Sequence, residues 1–193
     1  MKVHRNLDTI PVFRRAALTI GTFDGVHLGH QQIIRQLISE AHRVQGESVM
    51  ITFSPHPRKV VRPDVKLEQL TTMEERISLL KKHGLDHLVI VPFTPSFSQL
   101  TAQQYVTDFL AARFNPAVIV IGYDHKFGKD RSGDFNLLQQ YAPGFGFEVK
   151  EIPEQLTRNA IVSSTRIRQA LQLGDVPTAN ENLGYPYFLS LIH

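Results

Sequence analysis

The chain contains no cysteine. It therefore has no disulfide framework, no thiolate metal site and no thiol nucleophile, and its chemistry must rest on His, Ser/Thr, Asp/Glu, Lys/Arg or backbone groups. Net charge is nearly absent as well: 21 Lys+Arg stand against 18 Asp+Glu, giving +3, and the basic residues are scattered. That argues against nucleic acid as a partner and favours a small anionic substrate. No window approaches the roughly 20 apolar residues needed to span a bilayer, and Met1–Asp8 has no apolar stretch that could serve as a signal sequence, so no membrane partner and a cytoplasmic location are expected. Internal repeats, low-complexity tracts and charged tails are also missing. What is present is 193 residues, 42% hydrophobic and 20% charged, enough to bury one sizeable core in one domain or a little more.

Short β-branched runs alternate with longer stretches of 3.6-residue period, the pattern of βαβ units on a parallel sheet. Strands are expected near Ala16–Thr22, Glu47–Phe53, His87–Phe93, Ala117–Gly122 and Phe147–Ile152, with a weaker sixth at Asn159–Val162. Helices are expected near Gly29–Val44, Thr72–His83, Ala102–Phe114, Asp134–Tyr141, Ser164–Leu173 and Val176–Asn182. Thr72 with Glu75, and Thr101 with Gln104, have capping-box spacing, while Gly84 and Gly174 stand where left-handed residues end helices. The fold class is α/β, a doubly wound parallel sheet of five to six strands with helices on both faces. Its ligand crevice is expected at the carboxyl ends of the strands, where the strand order reverses.

Four post-strand segments carry chemistry. Gly21-Thr22-Phe23-Asp24-Gly25-Val26-His27-Leu28-Gly29-His30 joins the first strand to the first long helix. Gly21 and Gly25 permit a tight turn, and Gly29 removes a side chain that would block a ligand from the first-turn amides, which suits a phosphate. His27 and His30, three apart, project to one side of the positive helix end. An ordinary βα turn with solvated histidines is the bland alternative, and a zinc site lacks further ligands. In Thr52-Phe53-Ser54-Pro55-His56-Pro57-Arg58, two prolines stiffen a strand exit, which by itself reads equally as a structural turn. Gly122–Asp134 combines three glycines, three basic residues and aromatic side chains in a loop that can move, suited to a flat aromatic phosphate ester or simply solvated. Val162-Ser163-Ser164-Thr165-Arg166-Ile167-Arg168 opens a helix, where hydroxyls, free amides and Arg168 either cap the helix or bind phosphate.

The His27-x-Gly29-His30 core resembles the nucleotide-binding motif of the nucleotidylyltransferase superfamily, whose fold is Rossmann-like. The flanking Phe23-Asp24-Gly25-Val26 narrows the resemblance to the FAD synthetase (FMN adenylyltransferase) module of the prokaryotic bifunctional riboflavin kinase/FAD synthetase family. The later segments are similar to that family's Phe-x-Pro-His-Pro, Gly-x-Asp/Asn-Phe-x-Phe-Gly and Ser-Ser-Thr-x-x-Arg stretches, with His125 where a Phe is usual. The resemblance implies in-line attack of the FMN phosphate on the α-phosphorus of ATP, giving FAD and pyrophosphate without a covalent enzyme intermediate. It assigns catalytic roles to His27, His30, Ser164, Thr165 and Arg168: the histidines on the triphosphate, the other three on the phosphates that leave. ATP would be framed by Gly21, Thr22, Phe23, Asp24, Gly29, Val162 and Ser163, with Pro55, His56, Pro57, Asp124, Phe127 and Arg131 on the flavin side. Mg2+ would travel with ATP on phosphate oxygens and water, without a dedicated protein ligand and with Asp24 and Asp124 as outer-shell partners.

On the same resemblance, residues 1–182 form the adenylyltransferase domain and 183–193 begin an absent riboflavin kinase domain, with Tyr185 in place of the usual Arg. Kinase activity is not expected, and the tail is expected to be poorly ordered or engaged by another surface. Rival readings are another enzyme of the superfamily, a non-catalytic nucleotide- or flavin-binding module, and an RNA-binding domain. The flavin-like second and third segments disfavour the first, the intact His27, His30, Ser164, Thr165 and Arg168 the second. The missing basic helix and aromatic sheet motif disfavour the third.

Overall fold

The computed structural model describes residues 1–152 and 162–188. Six strands form one parallel sheet in the order β1-β4-β3-β2-β5-β6, namely β1 (Lys2–His4), β2 (Ala17–Ile20), β3 (Ser48–Ser54), β4 (His87–Pro92), β5 (Val118–Gly122) and β6 (Glu148–Ile152). The helices are α1 (Leu28–Arg43), α2 (Pro57–Val61), α3 (Met73–Lys81), α4 (Pro95–Ser98), α5, α6 (Phe135–Phe145), α7 (Ser164–Gln172) and α8 (Val176–Leu183). Helix α5 opens as Ala102–Gln104, passes through a π segment at Tyr105–Ala111 and closes as Ala112–Phe114. No helix among the described residues is long and apolar enough to cross a membrane.

The central strands read as continuous apolar runs because helices cover both of their faces. Alternation along each strand divides the side chains between two cores. Ala17, Met50, Leu88, Ile90, Val118 and Val120 meet Ile34 and Leu37 of α1 and Leu79 and Leu80 of α3. On the other face Leu18, Ile20, Ile51, Val89, Ile119 and Ile121 meet Tyr105, Phe109 and Leu110 of α5 and Leu138 of α6. A smaller cluster of Leu70, Ile167, Ala170, Ala179 and Leu183 ties the α7–α8 hairpin to the segment before α3.

From β2 the chain lays β3 and then β4 on one side, and returns to place β5 on the other side of β2. The strand order therefore reverses between β2 and β5, and the segments after those two strands flank the crevice where a doubly wound sheet binds its ligand. Both capping boxes form, with Thr72 and Glu75 opening α3 and Thr101 and Gln104 opening α5. Gly84 and Gly174 take φ of +79° and +75° beyond α3 and α7.

Four features depart from the sequence reading. Strand β1 pairs with β4 through Lys2↔His87 to His4↔Val89; three residues with one apolar side chain leave no period to read. Helices α2 and α4 are single turns that start on prolines, whose fixed φ suits a first helical turn as well as a bend. Helix α6 runs through Pro143 to Phe145, a turn beyond its expected end, and stops at left-handed Gly146. Of the weak sixth strand at Asn159–Val162, residues 159–161 lie outside the described residues and Val162 belongs to no strand.

Candidate functional site at the sheet switch point

The turn from β2 to α1 is backbone held against its own preference. Phe23, Gly25 and Val26 take φ of +48°, +81° and +38°, and for a bulky or β-branched residue that conformation costs on the order of 1–3 kcal/mol. Neighbours on three sides fix it. The Gly25 N–H donates to Thr71 Oγ1 at 3.1 Å, the Gly25 carbonyl accepts from the Tyr185 hydroxyl at 2.6 Å, and the Val26 carbonyl accepts from Gln31 Nε2 at 3.0 Å. A Cβ on Gly25 would lie 2.8 Å from Leu70 Cδ1. Of the tail expected to be poorly ordered or engaged by another surface, the described residues pack on their own domain, while 189–193 lie outside the described residues: besides Tyr185, Tyr187 donates its N–H to Asn180 Oδ1 at 2.6 Å and joins the Leu70 cluster.

His27 caps α1, its Nδ1 accepting from the His30 N–H at 3.3 Å, which puts its proton on Nε2. The two imidazoles stack with centroids 3.6 Å apart and planes 18° from parallel, and Phe23 stands 5.1 Å from the His30 ring. Gly29 lets them do so, because a Cβ there would sit 3.3 Å from the His27 ring. Burial lowers the His27 pKa to about 4 against the opposing pull of Asp24, and burial with the fields of His27 and Arg76 holds His30 well below its ordinary value. Both rings are neutral, and His30 Nδ1 is buried without a hydrogen-bond partner among the described residues.

Burial likewise lowers His56 and His125 to about 4 from 6.5. Between those pH values the unfolded chain binds protons that the folded chain refuses, so stability falls as pH drops from about 6.5 to about 4. The expected result is a melting temperature that declines steadily through this window, with a shallower decline in His125→Phe, which deletes one of the titrating groups. An identical pH profile for that variant would contradict the assignment.

Asp24 is the electrostatic centre of the site. Its carboxylate is fully buried and accepts from the Leu70 N–H at 3.0 Å, the Thr71 N–H at 3.1 Å, Arg76 Nη2 at 3.3 Å and Arg168 Nη2. Its carbonyl accepts from Ser164 Oγ at 3.0 Å, while Ser163 caps α7 by accepting from the Arg166 N–H at 3.2 Å. The first and fourth sequence segments, 140 residues apart, are therefore joined directly. These contacts correct the expectation for Asp24: with its oxygens taken by amides and guanidinia, it does not fit a magnesium outer shell. Among the described residues no three His, Asp or Glu side chains are placed to hold a metal ion.

Outside this network lies a cleft of about 430 Å³ lined by Arg58, Lys66, Glu68, Thr165, Arg168 and Gln172, with Thr165 exposed on its wall. Arg168 spans the two regions, donating Nε to the Glu68 carbonyl at 2.6 Å. The cleft carries more cationic than anionic side chains and ends at the amino terminus of α7, which suits a polyanion. Pro55 and Pro57 bracket His56, whose Nδ1 accepts from the Arg58 N–H at 3.1 Å, and the charges of Asp24, Arg168 and Arg76 reach its ring.

The third segment is a pinned hairpin instead of a movable loop. Phe127 and Gly133 bridge in both directions at 3.1 and 2.9 Å, and the Lys129 N–H donates to the Leu100 carbonyl at 2.7 Å. Phe127, expected to face the flavin, is 5% exposed and stacks on Tyr105 with centroids 5.1 Å apart, so its ring belongs to the core. Gly128, at φ +72°, lies so close to α5 that a Cβ would be 2.6 Å from the Ala102 Cα. Asp124 and Arg131 stay exposed after β5, next to the switch point, and His125 Nε2 is buried without a partner among the described residues.

Residues 10–166 match the family model described as FAD synthetase. The chain belongs to the FAD synthetase family. It is 38% identical over 173 residues to a bifunctional riboflavin kinase/FMN adenylyltransferase of Listeria monocytogenes serovar 1/2a, covering 88% of this chain and 54% of that one. A second protein of that organism, named FAD synthetase, is 35% identical over 181 residues, covering 92% and 72%. The bifunctional relative from Buchnera aphidicola subsp. Schizaphis graminum is 32% identical over 192 residues, covering 98% and 62%. The chain thus spans between half and two thirds of the length of these bifunctional relatives. Its fold is similar to the crystal structure of a protein described as a macrolide-efflux protein from Streptococcus pneumoniae, with TM-score 0.82 and 29% identity over 97% of this chain and 63% of that one.

For this member of the FAD synthetase family, the sequence motifs locate the switch-point turn and the start of α7 but miss what holds them. Arg76, Thr71 and Tyr185 carry no motif. Arg76 had one readable signal: it lies in phase with the buried Leu79 and Leu80 of α3, on the stripe where an apolar residue is the rule.

Proposed function

We propose that the chain transfers AMP from MgATP to FMN, forming FAD and pyrophosphate. The observation that carries this reading is the direct joining of the strained β2–α1 turn to the start of α7, whose amino terminus and neighbouring cations line the adjacent cleft. The FMN phosphate is already ionised at neutral pH, so the protein's task is to align two polyanions in line and to stabilise charge on the transferred and leaving groups. His27 and His30 are assigned to the α-phosphate, where a neutral imidazole donates a hydrogen bond and an adjacent anion raises its proton affinity. Thr165 and Arg168, with Ser164 placing the α7 amino terminus, receive the phosphates that leave as pyrophosphate. The 430 Å³ cleft is their place in this scheme.

Backbone at Gly21–Asp24 and Val162–Ser163 would frame the adenosine. Pro55, His56 and Pro57 with the exposed Asp124 and Arg131 would form the flavin side, Phe127 stiffening that side from within the core. Magnesium would arrive on ATP and be held by phosphate oxygens and water. A cytoplasmic location is part of this proposal, and the bifunctional relatives suggest that this module works alongside a riboflavin kinase domain, an activity not assigned to residues 1–193. Incubation of the purified chain with FMN, ATP and magnesium is expected to yield FAD and pyrophosphate in equal amounts by chromatography, and riboflavin with ATP is expected to yield no FMN. Absence of FAD would leave the binding-module reading in its place.

A further inference from the structure

Asp24 has two guanidinium partners of different kinds. Arg76, on α3, has a side chain 1% exposed and is anchored by Nε to Thr71 Oγ1 at 3.5 Å and by Nη2 to the Thr71 carbonyl at 3.4 Å and to Asp24 Oδ1 at 3.3 Å. It lines neither the 430 Å³ cleft nor the neighbouring one of about 230 Å³. Arg168, on α7, has a side chain 14% exposed, bonds Asp24 Oδ2 and lines both. One buried carboxylate thus shares two cations, one locked inside and one at the rim.

We propose that Arg76 is a positioning residue: by balancing the buried charge of Asp24 it leaves Arg168 available to a substrate phosphate. The inference rests on reading the cleft as the polyphosphate site. A carboxylate with no access to water cannot be left without a counter-ion, and separating such a pair is among the most costly changes a protein interior undergoes. Were Arg168 the sole partner of Asp24, each phosphate that drew on its charge would strip that compensation away. With Arg76 fixed on Oδ1 the carboxylate stays paired while Arg168 serves the ligand. Arg76 also holds a donor in reserve, since its Nη1 is buried without a partner among the described residues. That N–H can take over an acceptor on Asp24 when Arg168 turns to phosphate. The field of Arg76 reaches His30 and His56 too, so its charge belongs to the site although its atoms do not touch the cleft.

The test is pyrophosphate binding by the full chain, measured by titration calorimetry without flavin or turnover. Arg76→Met is expected to weaken pyrophosphate by about tenfold or more, about 1.4 kcal/mol by the standard conversion, because Arg168 then becomes the sole counter-ion of Asp24. Arg76→Lys keeps the charge and is expected to stay within a few-fold of the unmodified chain. The double variant Asp24→Asn with Arg76→Met buries no unpaired charge, keeps the test open even if Arg76→Met alone fails to fold, and is expected to bind at least as tightly as the unmodified chain. A double variant that binds as weakly as Arg76→Met, or an Arg76→Lys chain that loses as much affinity as Arg76→Met, would overturn the proposal and assign Arg76 a general structural role. If the unmodified chain forms FAD yet fails to bind pyrophosphate, this proposal falls and the adenylylation stands. If it forms no FAD while the variant series behaves as described, the reverse holds.

Discussion

Replacing His30 with alanine is expected to lower the rate of FAD formation by about 100- to 1000-fold, the loss typical when one preorganised donor to developing charge is removed, while the folded state is barely affected. Three features of the site separate the two effects. His30 Nδ1 is buried and has no partner among the described residues, so truncation removes a desolvated polar atom that contributes nothing to folding. The backbone bond from the His30 N–H to His27 Nδ1 survives the change, and alanine is the best helix former for that first turn. What disappears is the ring stacked at 3.6 Å on His27, a neutral group held well below its ordinary pKa that only an arriving anion can satisfy. Steady-state kinetics on the variant, with thermal melting in parallel, checks the assignment, and unchanged turnover would remove His30 from the mechanism.

The same contrast between local pattern and tertiary satisfaction explains what the sequence made legible. The central strands and the helices that cover them are readable because burial on both sheet faces demands apolar runs and a 3.6-residue stripe, as in Val49–Phe53 and along α1. The switch-point turn is readable because Gly25 and Gly29 are needed at their positions for steric reasons. Strand β1 is not readable, since three edge residues take their conformation from β4 and have no period of their own. Phe127 shows a different limit. An aromatic in a glycine-rich loop reads the same whether it faces a ligand or the core, and the direction is decided by Tyr105, over twenty residues away in the chain, and by Gly133, where a Cβ would lie 2.3 Å from the Phe127 ring. Arg76 lies at the far end of this scale, because a charged residue on a helix stripe acquires meaning only when its partner, 52 residues back, is known.

That partner sets the largest stability effect expected in the molecule. Asp24→Asn keeps an acceptor for the Leu70 and Thr71 amides yet leaves Arg76 buried with no opposite charge, and removing one member of a buried ion pair costs about 3–5 kcal/mol. Arg168 contributes little to that cost because it can turn outward into the cleft, whereas Arg76, 1% exposed and tied to Thr71, cannot. Urea unfolding is therefore expected to show Asp24→Asn strongly destabilised, Arg76→Met destabilised by a smaller amount since Arg168 still pairs the carboxylate, and the double variant recovering most of the loss of Asp24→Asn. Strictly additive losses would mean that the two side chains do not interact, and that the turn between β2 and α1 is held by its backbone bonds to Thr71, Tyr185 and Gln31 alone. Coupling of the expected sign would instead tie the stability of the strained turn to the ion pair that also governs Arg168, so that the interaction holding Phe23, Gly25 and Val26 at positive φ is the one that prepares the cleft for phosphate.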